Sequence, residues 1–193
     1  PVYLFLEDGV PIRSTGFFNH NALYEIDIPA SGGIEITKGP GTALYGSDAI
    51  GGIINVLTPT PPTSFEAYVS PDIGSFGWWR VIAGLGDANP TNAYRGDVNI
   101  THTDGWRDST AYDRQGALAR WDYTGNAGWA AKTTLAYSKV DQQTGANSPL
   151  IEDDYRHDPT KNYLPIAFRK VQALRLTSAI EREFGGTLWS ITP

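Results

Sequence analysis

The stretch from Ile34 to Thr58, IEITKGPGTALYGSDAIGGIINVLT, decides how the chain reads. Two apolar strand-like runs, Ile34-Glu35-Ile36 and Ile53-Ile54-Asn55-Val56-Leu57, flank a segment holding Gly39, Gly41, Gly46, Gly51 and Gly52, with Pro40 among them. Glycine at this density lets a backbone take φ > 0 or lie close against another backbone. Thr42 to Ala49 has room for one or two helical turns. A phosphate-binding loop needs Gly, four residues, then Gly-Lys-Ser/Thr. Here Gly41 leads to Gly46-Ser47-Asp48, so the lysine is missing and an acid stands in the phosphate region. A nucleotide site is excluded.

Upstream, Val2 to Leu6 predicts a buried strand, and Glu7-Asp8-Gly9-Val10-Pro11 a tight turn with Asp-Gly at its centre. Residues 13 to 24 (RSTGFFNHNALY) form a polar and aromatic loop or short helix, after which Ile26, Ile28, Ile34 and Ile36 are strand-like again. Downstream, Thr58-Pro59-Thr60-Pro61-Pro62-Thr63 is a connector whose prolines cannot continue a ladder.

From residue 65 onward the pattern has period two. In 78–86, Trp79, Val81, Ala83 and Leu85 share a face, and Arg80 lies with two glycines on the other. Tyr94, Val98 and Ile100 oppose Arg95, Asp97, Asn99 and Thr101; Ala117, Ala119, Trp121 and Tyr123 oppose Arg114, Arg120 and Asp122. Trp129, Ala131, Leu135 and Tyr137 oppose Lys132, Thr134 and Ser138; Leu174, Leu176 and Ile180 oppose Arg175, Thr177 and Glu181. Each segment has about the ten residues that a tilted strand needs to cross a bilayer. With 65–73 first and 187–192 last, seven strands are predicted. The connections Asp87–Ala93 and Gly125–Ala127 are short, whereas Asp104–Asp113 and Asp141–Ala167 are longer. Membrane barrels alternate short periplasmic turns with long extracellular loops. A soluble sandwich also alternates in polarity. Two readings therefore stand: barrel strands with a wet lumen, or a soluble β-rich surface adhesion or carbohydrate-binding module.

Composition narrows the classes. There is no cysteine, hence neither a disulfide framework nor a thiolate metal site, and three His without Cys argue against catalytic zinc. A formal charge of −6 argues against nucleic acid as a partner. Six Trp, ten Tyr, 21 Gly and 13 Pro suit short strands and turns better than long helices. No apolar run reaches the roughly 18 residues of a membrane helix, which does not exclude barrel strands. No signal peptide is visible, and the chain opens and stops in apolar runs. That suggests a segment internal to a longer chain.

Leu6-Glu7-Asp8-Gly9-Val10-Pro11 and the run Lys38-Gly39-Pro40-Gly41-Thr42-Ala43-Leu44-Tyr45-Gly46-Ser47-Asp48-Ala49-Ile50-Gly51-Gly52 closely resemble the plug domain of TonB-dependent outer-membrane receptors. Lys38 stands where that family usually has Arg, keeping the charge without the bidentate fork. GSFG at 74–77 and DGWRDSTAYDR at 104–114 are weaker family-like phrases. The resemblance implies a mainly β chain: a small mixed α/β plug part over 1–58, a Pro-rich connector over 59–64, and from 65 to 193 about seven strands of a transmembrane antiparallel barrel, not closed. In the family the barrel has about 22 strands. The resemblance further implies active uptake of a scarce large solute, such as a ferric siderophore or cobalamin, across a Gram-negative outer membrane. The partners would be the TonB-ExbB-ExbD complex, outer-membrane lipid and lipopolysaccharide. It implies no cofactor. No nucleophile–base–orienter set stands out either, so no enzyme is expected.

The resemblance marks Lys38, Gly39, Pro40, Tyr45, Gly46, Gly51 and Gly52 as plug signature, and residues 13–20 as the apical loop that meets the substrate. In that loop Arg13, Ser14, Phe17, Phe18, Asn19 and His20 combine stacking and hydrogen-bonding groups; the plainer alternative packs both Phe inside the plug. Glu152, Asp153 and Asp154 with Asp158 offer hard oxygen ligands for Ca²⁺, without EF-hand spacing; a solvated charged loop is the plainer alternative. Asn99-Ile100-Thr101 fits a glycosylation sequon but lies in a strand. Residues 1–62 carry six acids against Arg13 and Lys38, net −4. The wet face carries Arg80, Arg95, Arg114, Arg120, Lys132 and Arg175 against Asp97, Asp122 and Glu181, net +3. Complementary plug–lumen contacts are expected, hydrated and individually worth about 0–1 kcal/mol.

Overall fold

A computed structural model describes residues 3–13, 25–46, 48–144 and 148–192. β1 (Tyr3–Glu7) and β2 (Val10–Pro11) form a hairpin whose two central residues, Asp8 and Gly9, have φ of 51° and 82°. Paired left-handed residues match the twist of the flanking strands, which is why Asp-Gly marks such turns. β3 (Gly33–Lys38), α1 (Thr42–Tyr45) and β4 (Gly52–Leu57) follow, so the helical propensity of the glycine segment yields one turn. The sheet order is β2-β1-β4-β3, with β1 parallel to β4 and β3 antiparallel to it. Its dry centre is Leu6, Ala49 and Ile53, with Leu4 and Tyr45 packed against it. Ile26 and Ile28 are not in a strand: Ile28–Ala30 is a 3-10 turn. Pro29 has no N–H to give a ladder, and Ile26 is instead buried as an anchor.

After the connector come β5 (Glu66–Ile73), β6 (Trp79–Ala88), β7 (Asn92–Thr103), β8 (Tyr112–Thr124), β9 (Trp129–Gln143), β10 (Phe168–Phe184) and β11 (Thr187–Ile191), with α2 (Glu152–His157) in the longest connection. They make an antiparallel meander in which each strand pairs with its sequence neighbours; the sheet is not closed, and β5 and β11 are its edges. β10 is longer than its predicted 172–181 window. Apolar alternation marks only the middle of the strand, while backbone pairing continues through Phe168↔Gln143 and Arg182↔Trp129.

Register turns alternation into rows. Leu85↔Gly96↔Ala119↔Leu135↔Leu176 runs across five strands on one face, and Arg95↔Arg120↔Thr134↔Thr177 lies beside it on the other. The covered face is the polar one: Asp97 is 2 % exposed and Asn99 0 %, whereas Leu135 is 43 % and Leu176 69 % exposed. A soluble sandwich would seal Leu135 and Leu176 inside and put Arg95 and Arg120 outermost. The reverse is found, which removes the adhesion or carbohydrate-module reading. Exposed Trp79, Tyr94, Trp121, Trp129 and Phe168 stand near strand ends, where aromatic girdles meet a membrane interface. No helix among the described residues is long and apolar enough to cross a membrane.

Candidate functional site

The glycine segment folds back on itself and sets the plug-like sheet. Gly39 N–H donates to Gly51 O at 3.2 Å, Gly41 N–H to Ala49 O at 2.8 Å and Gly46 N–H to Thr42 O at 3.0 Å. These bonds return the chain from the end of β3 to the start of β4. At Gly52 a Cβ would lie 2.6 Å from Thr37 O, closer than any side chain tolerates, so β3 and β4 can pair there only through glycine. Tyr45 covers the small core, while Lys38 and Pro40 are exposed.

The four-stranded sheet sits against the polar face of the wall through charged seats. Arg175 donates from Nε and Nη2 to both Glu7 oxygens at 3.0 Å, and from Nη1 to Glu25 O at 3.1 Å. Glu25 also pairs with Arg13. Lys132 Nζ lies 2.9 Å from Asp8, which accepts from Thr58 N–H at 3.0 Å and Thr58 Oγ1 at 2.5 Å. Burial pushes the Asp8 carboxyl up, but the hydrogen bonds from Thr58 and Lys132 outweigh it and hold it below the usual carboxylate range. Asp27 accepts from Asn99 Nδ2 at 2.7 Å and lies 3.7 Å from Arg114 Nε, while Arg114 Nη2 donates to Ile26 O. Gly116 makes room for this seat, since a Cβ there would stand 2.0 Å from Asp27 Oδ2.

These contacts are drier than the hydrated pairs expected from sequence. The Arg114 and Asp27 side chains keep 7 % and 16 % of their exposure. A cavity between sheet and wall, touching Glu7, Glu25, Tyr137 and Arg175, measures about 20 Å³, room for about one water. The expected complementarity also divides. Arg114, Lys132 and Arg175 reach acids of residues 1–62. Arg80, Arg95 and Arg120 pair instead with Asp72, Asp97 and Asp122 of the wall itself.

At the long-loop end the polar face opens into a vestibule of about 850 Å³ lined by Phe76, Trp78, Trp106, Arg107, Tyr112 and Gln142, among others. Arg80 lies under the Trp78 ring, 5.6 Å from its centroid. Arg107 is spent on structure: it donates to Ser148 O at 3.1 Å and through Nε to Lys161 O at 3.1 Å. Asp108 N–H donates to Thr160 O at 2.8 Å and Asn162 Nδ2 to Asp108 O at 2.9 Å, so residues 104–111 and 148–167 are knitted together. The vestibule therefore offers stacking faces held on a fixed rim. The weak phrases GSFG and DGWRDSTAYDR contain most of these residues. Tryptophan in a predicted loop was the legible signal, but only the paired register brings the two loops to one mouth.

Glu152, Asp153, Asp154 and Asp158, weighed above as calcium ligands, each have partners of their own. Glu152 pairs with Arg156 at 2.6 Å, Asp153 with His157 at 3.0 Å and Asp154 with Lys161 at 2.9 Å. The hydrogen bond from Tyr163, then that from Lys161, holds Asp154 below the usual carboxylate range, and Asp154 in turn pushes Lys161 and Tyr163 up. Glu152, Asp153 and Asp154 thus face three different side chains, and Asp158 accepts from Thr160 Oγ1 at 3.2 Å. Among the described residues no group of three or more His, Cys, Asp or Glu is placed to hold a metal ion. Of the apical-loop residues, Arg13 is held by Glu25; Ser14, Phe17, Phe18, Asn19 and His20 lie outside the described residues.

Residues 2–53 match the family described as TonB-dependent Receptor Plug Domain. Over 75 residues the chain is 47 % identical to the vitamin B12 transporter BtuB of Vibrio vulnificus; this covers 37 % of the chain and 12 % of that relative. The fold over 98 % of the chain is similar to that of the ferripyoverdine receptor of the outer membrane of Pseudomonas aeruginosa (TM-score 0.73, 16 % identity, 27 % of that protein). It is also similar to the siderophore receptor PiuA from Acinetobacter baumannii (TM-score 0.74, 18 % identity, 28 % of that protein). The chain thus spans well under half the length of each.

Proposed function

We propose that this chain, a member of the TonB-dependent receptor family by its plug domain, carries the gate and part of the wall of a Gram-negative outer-membrane receptor. Residues 1–58 are the plug part, 59–64 the connector and 65–193 the first strands of the barrel. The gate admits a scarce large solute, a ferric siderophore or cobalamin, when the TonB-ExbB-ExbD complex displaces the plug. The observation that carries this reading is the inverted wall. Its apolar side chains face outward along the membrane span, and its polar ones hold the plug acids through Arg175, Lys132 and Arg114. Residues 13–20 and the aromatic vestibule approach the solute from outside. The stacking faces of Trp78 and Trp106 suit a bulky ring-bearing ligand. The wall's outer face meets lipid and lipopolysaccharide.

The test uses the whole receptor in cells lacking other receptors, with cyanocobalamin and ferripyoverdine as probes. One probe is expected to bind and to enter only when TonB is present. Trp78→Ala and Trp106→Ala should each weaken binding about tenfold, the loss of a typical aromatic anchor. Binding of neither probe would remove the solute class; entry without TonB would remove the energised gate.

A further inference from the structure

Arg95 and Arg120 face each other in register on β7 and β8. Two like charges directly opposite destabilise a sheet, and here each is neutralised from its own strand, two residues on. Arg95 gives Nε and Nη2 to Asp97 at 2.8 and 3.0 Å, and Arg120 gives Nε and Nη2 to Asp122 at 2.8 and 2.7 Å. The third nitrogen of each guanidinium points the same way. Arg120 Nη1 donates to Thr58 O and Thr58 Oγ1 at 3.1 Å and to Pro59 O at 3.3 Å; Arg95 Nη1 donates to Thr60 O at 3.4 Å. Prolines leave these carbonyls outside any ladder, so they are free to accept. Pro59 and Pro61 are buried, and Gly86 leaves the space Pro62 fills: a Cβ there would stand 2.5 Å from Pro62 Cδ. The clamp lies at the short-turn end, apart from the Asp27 seat.

We propose that the twin Arg-x-Asp clamp fixes residues 58–62 to the wall while the rest of the plug leaves its seats, making the connector a stationary hinge. The inference rests on the reading of residues 1–58 as a movable plug. Mechanically the two attachments differ. Each plug seat sets an Arg or Lys of the wall against a plug carboxylate, with Arg114 and Arg175 adding one plug carbonyl apiece, whereas the clamp uses no plug carboxylate: its guanidinium groups are already oriented by Asp97 and Asp122 and reach residues 58–60. Arg95 and Arg120 are positioning residues; neither needs to touch the solute.

The chain has no cysteine, so spin labels can be placed at will once any elsewhere in the whole receptor are replaced. One label pair joins Thr60→Cys to Asp87→Cys on the wall; a second joins Glu35→Cys on β3 to the same wall site. In urea that loosens the plug sheet, the 35–87 distance should broaden while the 60–87 distance stays narrow. With Arg120→Ala both should broaden together. Arg120→Lys should behave like alanine, because one ammonium cannot hold Asp122 and two carbonyls at once. Joint broadening in the unaltered receptor, or a narrow 60–87 distance in Arg120→Ala, overturns the clamp. Solute entry is scored separately: entry independent of TonB sinks the gating reading and leaves the clamp result standing.

Discussion

In the four-stranded sheet, Leu6 and Ile53 turn inward and close a dry centre with Ala49. In the seven-stranded sheet the inward face carries Asp97, Asn99, Thr101, Thr134 and Ser138, with Ile82, Ala136 and Val140 among them, and Val98, Leu135, Leu174 and Leu176 stand outside. Both sheets obey the same two-residue alternation. The difference teaches that alternation fixes two faces but not which is covered. In the proposed receptor the medium decides: hydrocarbon outside the wall welcomes leucine, and a polar plug inside welcomes aspartate and asparagine.

The comparison can be broken most severely at the plug core. Leu6→Ala should cost the plug sheet about 2–5 kcal/mol, the usual range for emptying a buried leucine site. Urea melting of the plug in the whole receptor would report it, with the barrel's own melting unmoved; a wall that melts with the plug would show that the two are one unit. On the opposite face, Leu135→Arg should destabilise the barrel in lipid vesicles by about 2–4 kcal/mol, the cost of a guanidinium near a bilayer midplane. An unchanged barrel would mean that this row does not meet hydrocarbon.

The smallest effect concerns the seam between the sheets. Asp8 has a folded pKa below its unfolded one. Its contribution is therefore present above the unfolded carboxylate pKa and is lost as pH falls through the folded value. Plug stability should hold from neutrality down to the ordinary carboxylate range and decline below it. Asp8→Asn should remove part of that decline and lower the neutral-pH urea midpoint. Parallel pH profiles in the two proteins would exclude Asp8 as a seat.

The strands were legible because each wall strand carries its own period, and the Asp-Gly hairpin and the turn after Gly41 because their glycines are local requirements. Ile26 and Ile28 misled, since an apolar pair beside Pro29 reads as strand until the missing N–H is counted. The acidic run at 152–154 left both the ligand and the charged-loop readings open, because spacing along a chain says nothing about which side chain each carboxylate meets. Asp27 drew no notice beyond its charge, yet it sits on Asn99, Arg114 and Gly116, three residues brought to one spot only by the β7–β8 register.

The sequence by itself determined the two-faced strands, the tight glycine turns and the proline break, each a consequence of neighbours within a few residues. Only the tertiary structure decided that the polar face is the covered one, that Glu7, Asp8 and Asp27 find Arg175, Lys132 and Arg114, and that the loops 74–78 and 104–111 share a mouth. Those outcomes join residues far apart in the chain, and their energies arise from burial and register that no local pattern encodes.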